Sequence, residues 1–481
     1  MTGSFDSERI SAIFDECLEA LDLELACACL RGGALARVRL HHGKLLEHST
    51  QEHLLLELCG QRKGRFAAAS TTELSPEGVL SLVDAVKRRL EEPRAELTLL
   101  ERNPYSQLAE FDKELEDMGP AARIDALLEP YLLARREGID CELVGTWTLG
   151  GVGFDGSLLP FAFAHASGAR AISPQSALQV LGWTTHPEEP SFRDFVCFES
   201  SRREHFDPST LLQASLGFWA STQRCIHVGG PGQAPNRQEL GGTGQAPNRQ
   251  ELGGTGQAPN RQELGGTGQA PNRQELEALP STFSLLLDAP VVSALLRPIL
   301  HALEKPTHPW GQQFVLGRSF EAPINASCAP QHPCLNAIPF DAWGNAISGR
   351  SLITEGLVAH ADAAAQLPVQ LSLVSPDAAL CAAAFELALA EQDLFSDATG
   401  LLLRSATVES CATAPELRLT AGQGAWLLES GAVVGTVAPF ALRLGYDELF
   451  SASMRASSPR RALGCCVPAI RLDHFTPRLE A

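Results

Sequence analysis

The sequence predicts an α+β protein with two folded pieces on either side of a repetitive insertion. Helical periodicities alternate with strand-like segments before the insertion, and strand-like segments predominate after it. Between them, four near-identical twelve-residue units occupy Gly229–Leu276. Together these features predict two folded pieces joined by a spacer.

The repeated unit reads Gly-Gly-Thr-Gly-Gln-Ala-Pro-Asn-Arg-Gln-Glu-Leu, with Pro231 in place of the first Thr. Its glycines lose much conformational entropy on ordering, and one Ala and one Leu bury too little apolar surface to compensate. A solenoid is the alternative, but known solenoid units are roughly 20–50 residues long with several apolar positions each. We therefore expect a disordered linker with a root-mean-square span of about 35–40 Å.

The composition predicts a soluble, cytoplasmic protein that binds neither nucleic acid nor membranes. The chain has 57 acidic and 38 basic residues and a net charge of −19, and an acidic surface repels phosphate backbones. No basic region followed by an apolar run begins the chain, and no apolar stretch reaches about 18 residues. The 13 cysteines include no Cys-x-x-Cys pair, which favours buried reduced thiols over a disulfide or zinc framework.

The first piece begins with a helix followed by an antiparallel sheet. Asp6 or Ser7 can cap a helix whose apolar positions recur at helical spacing, namely Ile10, Phe14, Cys17, Leu18 and Leu21. Strand-like segments separated by turns follow it. They are Ala36–Leu40, Leu45–His48, Glu52–Leu58 and Arg65–Ser70.

Two further helices are predicted by their start signals. Ser75 caps a helix with Pro76 at its first position. Its apolar stripe consists of Val79, Val83, Val86 and Leu90. A longer helix, Pro120–Arg136, contains Pro130 and is expected to kink or break there, because proline removes a helical hydrogen bond.

The remaining elements lie on both sides of the repeats. Strand-like runs Cys141–Leu149 and Leu158–His165 are joined by a Gly-rich turn, and a helix is expected from Asp207 to about Arg224. After the repeats, Thr282–Asp288 predicts a strand, and the helix Val291–Glu304 follows Ala289-Pro290.

Four motifs resemble those of the TldD/PmbA family, whose members include bacterial and archaeal metal-dependent peptidases and their non-metal partner subunits. In chain order the motifs are Gly64–Val79, Ile338–Asn345, Arg350–Leu357 and Ala425–Gly435. The likeness covers about Leu35–Leu90 and Thr282–Leu472. It implies an N-terminal α/β domain with a mixed sheet over residues 1–227, the linker at 228–277, and a β-rich C-terminal domain over 278–481.

The same resemblance locates the zinc site of the family's catalytic branch on the helix after Asp288. There, a His-Glu-x-x-x-His motif supplies two zinc ligands and a base, and a cysteine near the C-terminus is a further ligand. This chain has Arg297 in place of the first His, Pro298 in place of the Glu, and His301 one position early. Arginine stays protonated and proline offers no base, so the resemblance implies no catalytic residue and no zinc site in this chain.

Weaker ligand candidates remain. His301, Cys465 and Cys466 are the positions from which shifted ligands could come. His308, His332 and Cys334 could form a new metal site, but no carboxylate or second ligand pair of recognised spacing accompanies them. No Gly-x-Ser-x-Gly motif occurs, and Gly150–Gly153 lacks the following helix of a dinucleotide site and is interpreted as a turn.

The resemblance therefore implies a PmbA-like (TldE-like) subunit with no cofactor of its own. Its partner would be a TldD-like catalytic subunit or a second copy of the chain. Zinc would be held by the partner, and the substrates would be unfolded or leader-bearing peptides. Two alternatives stay open, namely an interaction scaffold on a relic peptidase fold and an active metallopeptidase that uses His301 with Cys465 or Cys466.

Overall fold

A computed structural model describes residues 6–91, 111–212, 282–304, 317–328, 340, 350–358, 385–387 and 393–480 of the 481-residue chain. Within these ranges the description leaves out residues 24, 64, 155, 186–192, 204–205, 208–210, 412–413, 423–424, 438–439 and 464. It also leaves out the side chains of residues 299–304, 328, 350, 385–387, 436 and 479–480. The repeats, the predicted linker at 228–277 and most of the helix predicted after Asp207 therefore lie outside the described residues.

The first half forms one antiparallel sheet with helices packed on it. Its helices are α1 (Ser7–Leu21), α2 (Pro76–Glu91), α3 (Lys113–Asp117) and α4 (Pro120–Arg136). Its strands are β1 (Leu25–His41), β2 (Lys44–Arg62), β3 (Arg65–Thr71), β4 (Asp140–Gly151), β5 (Pro160–His165), β6 (Arg170–Ile172), β7 (Gln175–Thr185) and β8 (Arg193–Ser200). The strand order is β3-β2-β1-β4-β7-β8, with β5 paired to β1 and β6 to β5.

Helices α1 and α2 begin as their caps predict. The Asp6 side chain accepts a hydrogen bond from the Glu8 backbone at 3.0 Å, and the Ser75 hydroxyl accepts one from Gly78 at 3.2 Å. The predicted apolar stripes of both helices are buried, together with residues of β1, β2 and β5. The two helices thus share one apolar core with this end of the sheet.

Helix α4 runs through Pro130 without a break. Its Leu127, Tyr131 and Ala134 are buried in one core that also contains Ala36, Val38 and Leu40 of β1. The expectation of a break is wrong because burial of apolar residues before and after Pro130 outweighs the loss of one hydrogen bond.

Strand β1 is longer than predicted because it changes partner in its middle. It pairs with β5 through Cys27–Arg31 and with β4 through Gly32–His41. The segments predicted as two strands after the His42-Gly43 turn likewise form the single strand β2. The described strands of this sheet all pair antiparallel, whereas parallel pairs occur in the second half.

The second half is rich in strands and contains helices α5 (Ala289–Glu304) and α6 (Tyr446–Leu449). Its strands up to residue 410 are β9 (Phe283–Leu287), β10 (Ala326–Cys328), β11 (Arg350–Thr354), β12 (Leu357–Val358), β13 (Phe385–Leu387), β14 (Gly400–Leu403) and β15 (Thr407–Ser410). The others are β16 (Glu416–Ala421), β17 (Ala425–Glu429), β18 (Ala432–Thr436), β19 (Phe440–Gly445), β20 (Met454–Ala456), β21 (Arg460–Ala462), β22 (Cys465–Val467), β23 (Ile470–Phe475) and β24 (Arg478–Glu480).

These strands form three sheets. Their orders are β18-β17-β14-β9-β23-β20, β12-β11-β10-β13-β22-β21 and β15-β16-β19-β24. Strand β9 is parallel to β14, and β13 is parallel to β22. The motifs Arg350–Leu357 and Ala425–Gly435 form the hairpins β11-β12 and β17-β18. The α+β class and a strand-rich second half are confirmed, whereas of the Ile338–Asn345 motif only Phe340 is described.

The two halves share an apolar core. Leu143, Trp147 and Val180 of the first sheet are buried in the same cluster as Trp426 and Leu428 of β17. The second half thus covers apolar residues of the first sheet. None of the described helices is long and apolar enough to cross a membrane.

Candidate functional site

Helix α5 carries the degenerate motif, and its start is fixed by Asp288 at the end of β9. The Asp288 side chain accepts a hydrogen bond from Ala289 at 2.8 Å, and its backbone carbonyl accepts from Val291 at 2.8 Å and Val292 at 3.0 Å. These bonds satisfy backbone donors that a helix start otherwise leaves without partners. The helix then packs on β15, β21 and β22.

Arg297 and Pro298 follow the buried part of this helix. Leu295 and Leu296 are buried, whereas Arg297 is exposed and Pro298 is half-buried. The backbone remains helical through His301 to Glu304. The side chain of His301 lies outside the description, so its role as a ligand candidate stays untested.

The structure distinguishes between the two cysteine candidates. Successive residues of a strand point to opposite faces, so only one of Cys465 and Cys466 can face α5. Cys465 belongs to the core that includes Val291 and Leu295, whereas Cys466 lies outside that cluster. Both cysteines are buried. Cys465 is therefore the candidate beside the motif helix.

Burial raises the pKa of the Cys465 thiol. The neighbouring Ser293 and the positive charge of Arg297 act in the opposite direction, while the negative charge of Glu199 adds to the rise. Because a thiol binds metal as the thiolate, a raised pKa disfavours Cys465 as a ligand.

Few of the described residues at this site could bind a zinc ion. A structural zinc site usually has four protein ligands and a catalytic one three. Here Arg297 and Pro298 offer no lone pair, and burial raises the pKa of the Cys465 thiol. Among the described residues, no group of three His, Cys, Asp or Glu side chains could hold a metal ion. His308, His332 and Cys334 lie outside the description.

Buried carboxylates of β8 approach the motif helix from the first half. The Glu199 carboxylate accepts from Gln179 at 2.6 Å and lies 3.4 Å from the Arg461 guanidinium of β21. The Asp194 carboxylate accepts from the Arg404 guanidinium at 2.6 Å. Arg404 also lies 3.4 Å from Asp288, the residue that caps α5.

The sequence does not show that any of these charged residues is buried in an ion pair. Asp194 and Glu199 stand on either side of the apolar run Phe195–Phe198, a pattern that does not show whether the charged residues at its ends are buried. Each finds its cationic partner more than 200 positions away along the chain. Only the packing of the two halves shows that α5 lies next to a buried set of opposite charges.

Solved structures resemble this chain along nearly its whole length. TldE from Thermococcus kodakarensis has a TM-score of 0.66 and 13% identity, over 98% of this chain and 99% of that one. A proposed modulator of DNA gyrase from Bacteroides thetaiotaomicron has a TM-score of 0.62 and 12% identity, over 98% and 99%. Another, from Thermotoga maritima, has a TM-score of 0.63 and 12% identity, over 97% and 98%.

The chain has the TldD/PmbA fold. At 12–13% identity this likeness establishes the fold. No family model matches the sequence, and no curated protein matches it. These structures confirm the fold that the resemblance of the four motifs implies. Helix α5 carries Arg297, Pro298 and His301, the positions of the degenerate zinc motif.

Proposed function

We propose that the chain is a PmbA/TldE-like subunit without a zinc site of its own, in a TldD-type metallopeptidase complex that acts on unfolded or leader-bearing peptides. The observation that carries this proposal is the pair Arg297 and Pro298 on α5, near the buried Cys465, whose pKa is raised by burial. A TldD-like subunit would hold the zinc, and a second copy of this chain is the other candidate partner.

The electrostatics of α5 support a non-catalytic role. A cationic guanidinium at the position of a ligand repels Zn²⁺, and a proline cannot activate water. The structure that resembles the chain at a TM-score of 0.66 is a TldE. The proposal therefore has a chemical argument from the residues and a fold argument from the comparison.

Metal content and activity test this proposal together. The purified chain should contain far less than one zinc per chain and should not cleave unfolded peptides. When it is mixed with a TldD-like protein that has an intact His-Glu-x-x-x-His helix, the two should co-elute and the mixture should cleave. One tightly bound zinc per chain, with peptidase activity in the chain alone, would overturn the proposal.

Two variants separate the other interpretations. His301→Ala should leave the metal content unchanged, whereas an active enzyme with shifted ligands would lose its metal. Deletion of residues 229–276 should leave the complex and its cleavage intact. Loss of the partner on this deletion would instead identify the repeats as the binding part of a scaffold.

A further inference from the structure

Two cysteines of the first sheet lie directly opposite each other. Cys27 of β1 pairs with Cys59 of β2 in the antiparallel register, and their sulfur atoms are 2.6 Å apart. The pairs on either side, Ala26 with Gly60 and Ala28 with Leu58, keep the same register. The regular ladder of the sheet therefore places the two thiols together.

This placement suits a disulfide. Directly opposed residues in an antiparallel ladder have Cα atoms about 4.5 or 5.5 Å apart, depending on the hydrogen-bonding position. Disulfides span Cα separations of about 4.4–6.8 Å, so either position permits the bond. The strands need not separate or slide for the bond to form.

The pair is enclosed by apolar groups. Cys27 and Cys59 are only 2% and 4% exposed, and they share a cluster with Cys29, Phe163 and Phe340. The Phe340 ring comes from the second half and lies 6.1 Å from the Phe163 ring. Such a site excludes large thiol reagents, whereas a small neutral oxidant can reach it during brief local opening.

We propose that Cys27 and Cys59 form a dithiol redox site that closes to a reversible disulfide when hydrogen peroxide oxidises it. One thiol gives up its proton, and its thiolate attacks the peroxide; the O–O bond breaks, a sulfenic acid forms, and the departing hydroxide takes up the proton to become water. The second thiol attacks the sulfenic sulfur, so the S–S bond forms and a second water leaves. In total, two thiols and one peroxide give one disulfide and two waters, and a thiol reductant reverses the change.

The site couples oxidation to the contact between the halves. Phe340 is the described residue of the Ile338–Asn345 motif, and its fully buried side chain packs against the cysteine cluster. A change in sulfur geometry within this cluster acts on the packing of Phe340. In a reducing compartment the dithiol is the resting form, because disulfides there are transient and serve redox sensing.

Peptide mapping of the full chain tests the proposal. The reduced protein is treated with hydrogen peroxide, its remaining thiols are blocked with N-ethylmaleimide in denaturant, and it is digested with trypsin without reduction. Cys59 lies alone in the peptide Leu45–Arg62, whereas Ile10–Arg31 contains Cys17, Cys27 and Cys29. The expected product links the two peptides, is lighter than their sum by two hydrogens, and carries two maleimide labels that sequencing places on Cys17 and Cys29.

Variants and a reductant complete the test. Dithiothreitol should abolish the linked product, Cys59→Ala should prevent it, and Cys29→Ala should retain it with one label fewer. Full labelling of Cys59 after peroxide, linkage through Cys29, or conversion to sulfinic acid without linkage would overturn the proposal. The map of the unmodified chain decides the question even if Cys59→Ala does not fold.

Discussion

At the scale of single residues, the Arg404–Asp194 pair joins the two halves through two buried side chains. Their side chains are 8% and 0% exposed, and the guanidinium lies 2.6 Å from the carboxylate. A buried pair of this kind adds little stability over an apolar pair of similar volume, but removal of one partner leaves an uncompensated charge. A packing of the halves that separated these two side chains would therefore be destabilised.

We expect Arg404→Ala to lower the free energy of unfolding by about 3–5 kcal/mol, because Asp194 would stay buried without its cation. Arg418→Ala is the matched control. Arg418 pairs with Glu409 at 3.5 Å, but the two side chains are 44% and 69% exposed. Loss of such a surface pair should cost at most about 1 kcal/mol. Urea unfolding measures the free energy of unfolding of both variants, and equal losses would contradict the prediction.

Glu57 should make the stability of the protein depend on pH. Burial raises the pKa of its carboxyl, against the opposing effect of Arg31, whose guanidinium lies 3.2 Å away. The stability contributed by a group with a raised pKa is fully present below its ordinary value of 4.5 and is lost as the pH rises through the folded value.

The stability of the natural chain relative to Glu57→Gln should therefore fall as the pH rises from about 4 to about 7. Thermal unfolding over this range measures the difference. Glu77→Gln, at an exposed position of α2, corrects for the loss of one negative charge. A difference that stays constant, or that grows with pH, would contradict the prediction.

At the scale of elements, β1 shows how a strand can pass through two glycines. Gly32 has a φ of +92°, and a Cβ added there would lie 2.0 Å from the His53 carbonyl oxygen. The glycines occupy the point where β1 exchanges β5 for β4 as its partner. Glycine permits both the left-handed φ and the close approach of a neighbouring backbone.

Gly32→Ala should therefore destabilise the protein by at least ~2 kcal/mol, from backbone strain and steric overlap. Gly435→Ala is a control in a strand, because a Cβ there meets nothing within 4 Å. Its thermal midpoint should stay close to that of the natural chain. The prediction fails if the two variants have similar midpoints.

The same elements show what local sequence can predict. The caps at Asp6 and Ser75 and the apolar stripes of α1 and α2 act within a few residues, so the sequence alone identifies these helices. The length of β1 depends on partners far along the chain, and Gly32-Gly33 normally indicates a strand end. The continuity of α4 through Pro130 depends on burial in the same way.

The candidate site shows the same limit. The replacement of motif residues by Arg297 and Pro298 is visible in the sequence, because the chain can be compared with the known His-Glu-x-x-x-His motif. The choice between Cys465 and Cys466 requires knowing which face of β22 packs against α5. The approach of Glu199 and Asp194 requires the packing of both halves, which no local pattern encodes.

At the scale of the whole molecule, the shared core predicts that the halves stay together after chain cleavage. A protease site inserted between residues 229 and 276 would allow a single cut there. We expect both fragments to co-elute in size-exclusion chromatography, because they share buried residues such as Trp147 and Trp426 and the Arg404–Asp194 pair. Elution as two separate species would contradict this prediction, and an uncut sample is the control.

The position of β9 has a consequence for synthesis on the ribosome. This strand pairs with β14 and β23, whose residues are made long after its own. The first sheet, in contrast, is complete at Ser200. Because domains begin to fold as they emerge, the first sheet can form early, while β9 has no partners until most of the chain has been translated. The surface around Trp147 then stays open to chaperones, and to aggregation, until the last strands are released.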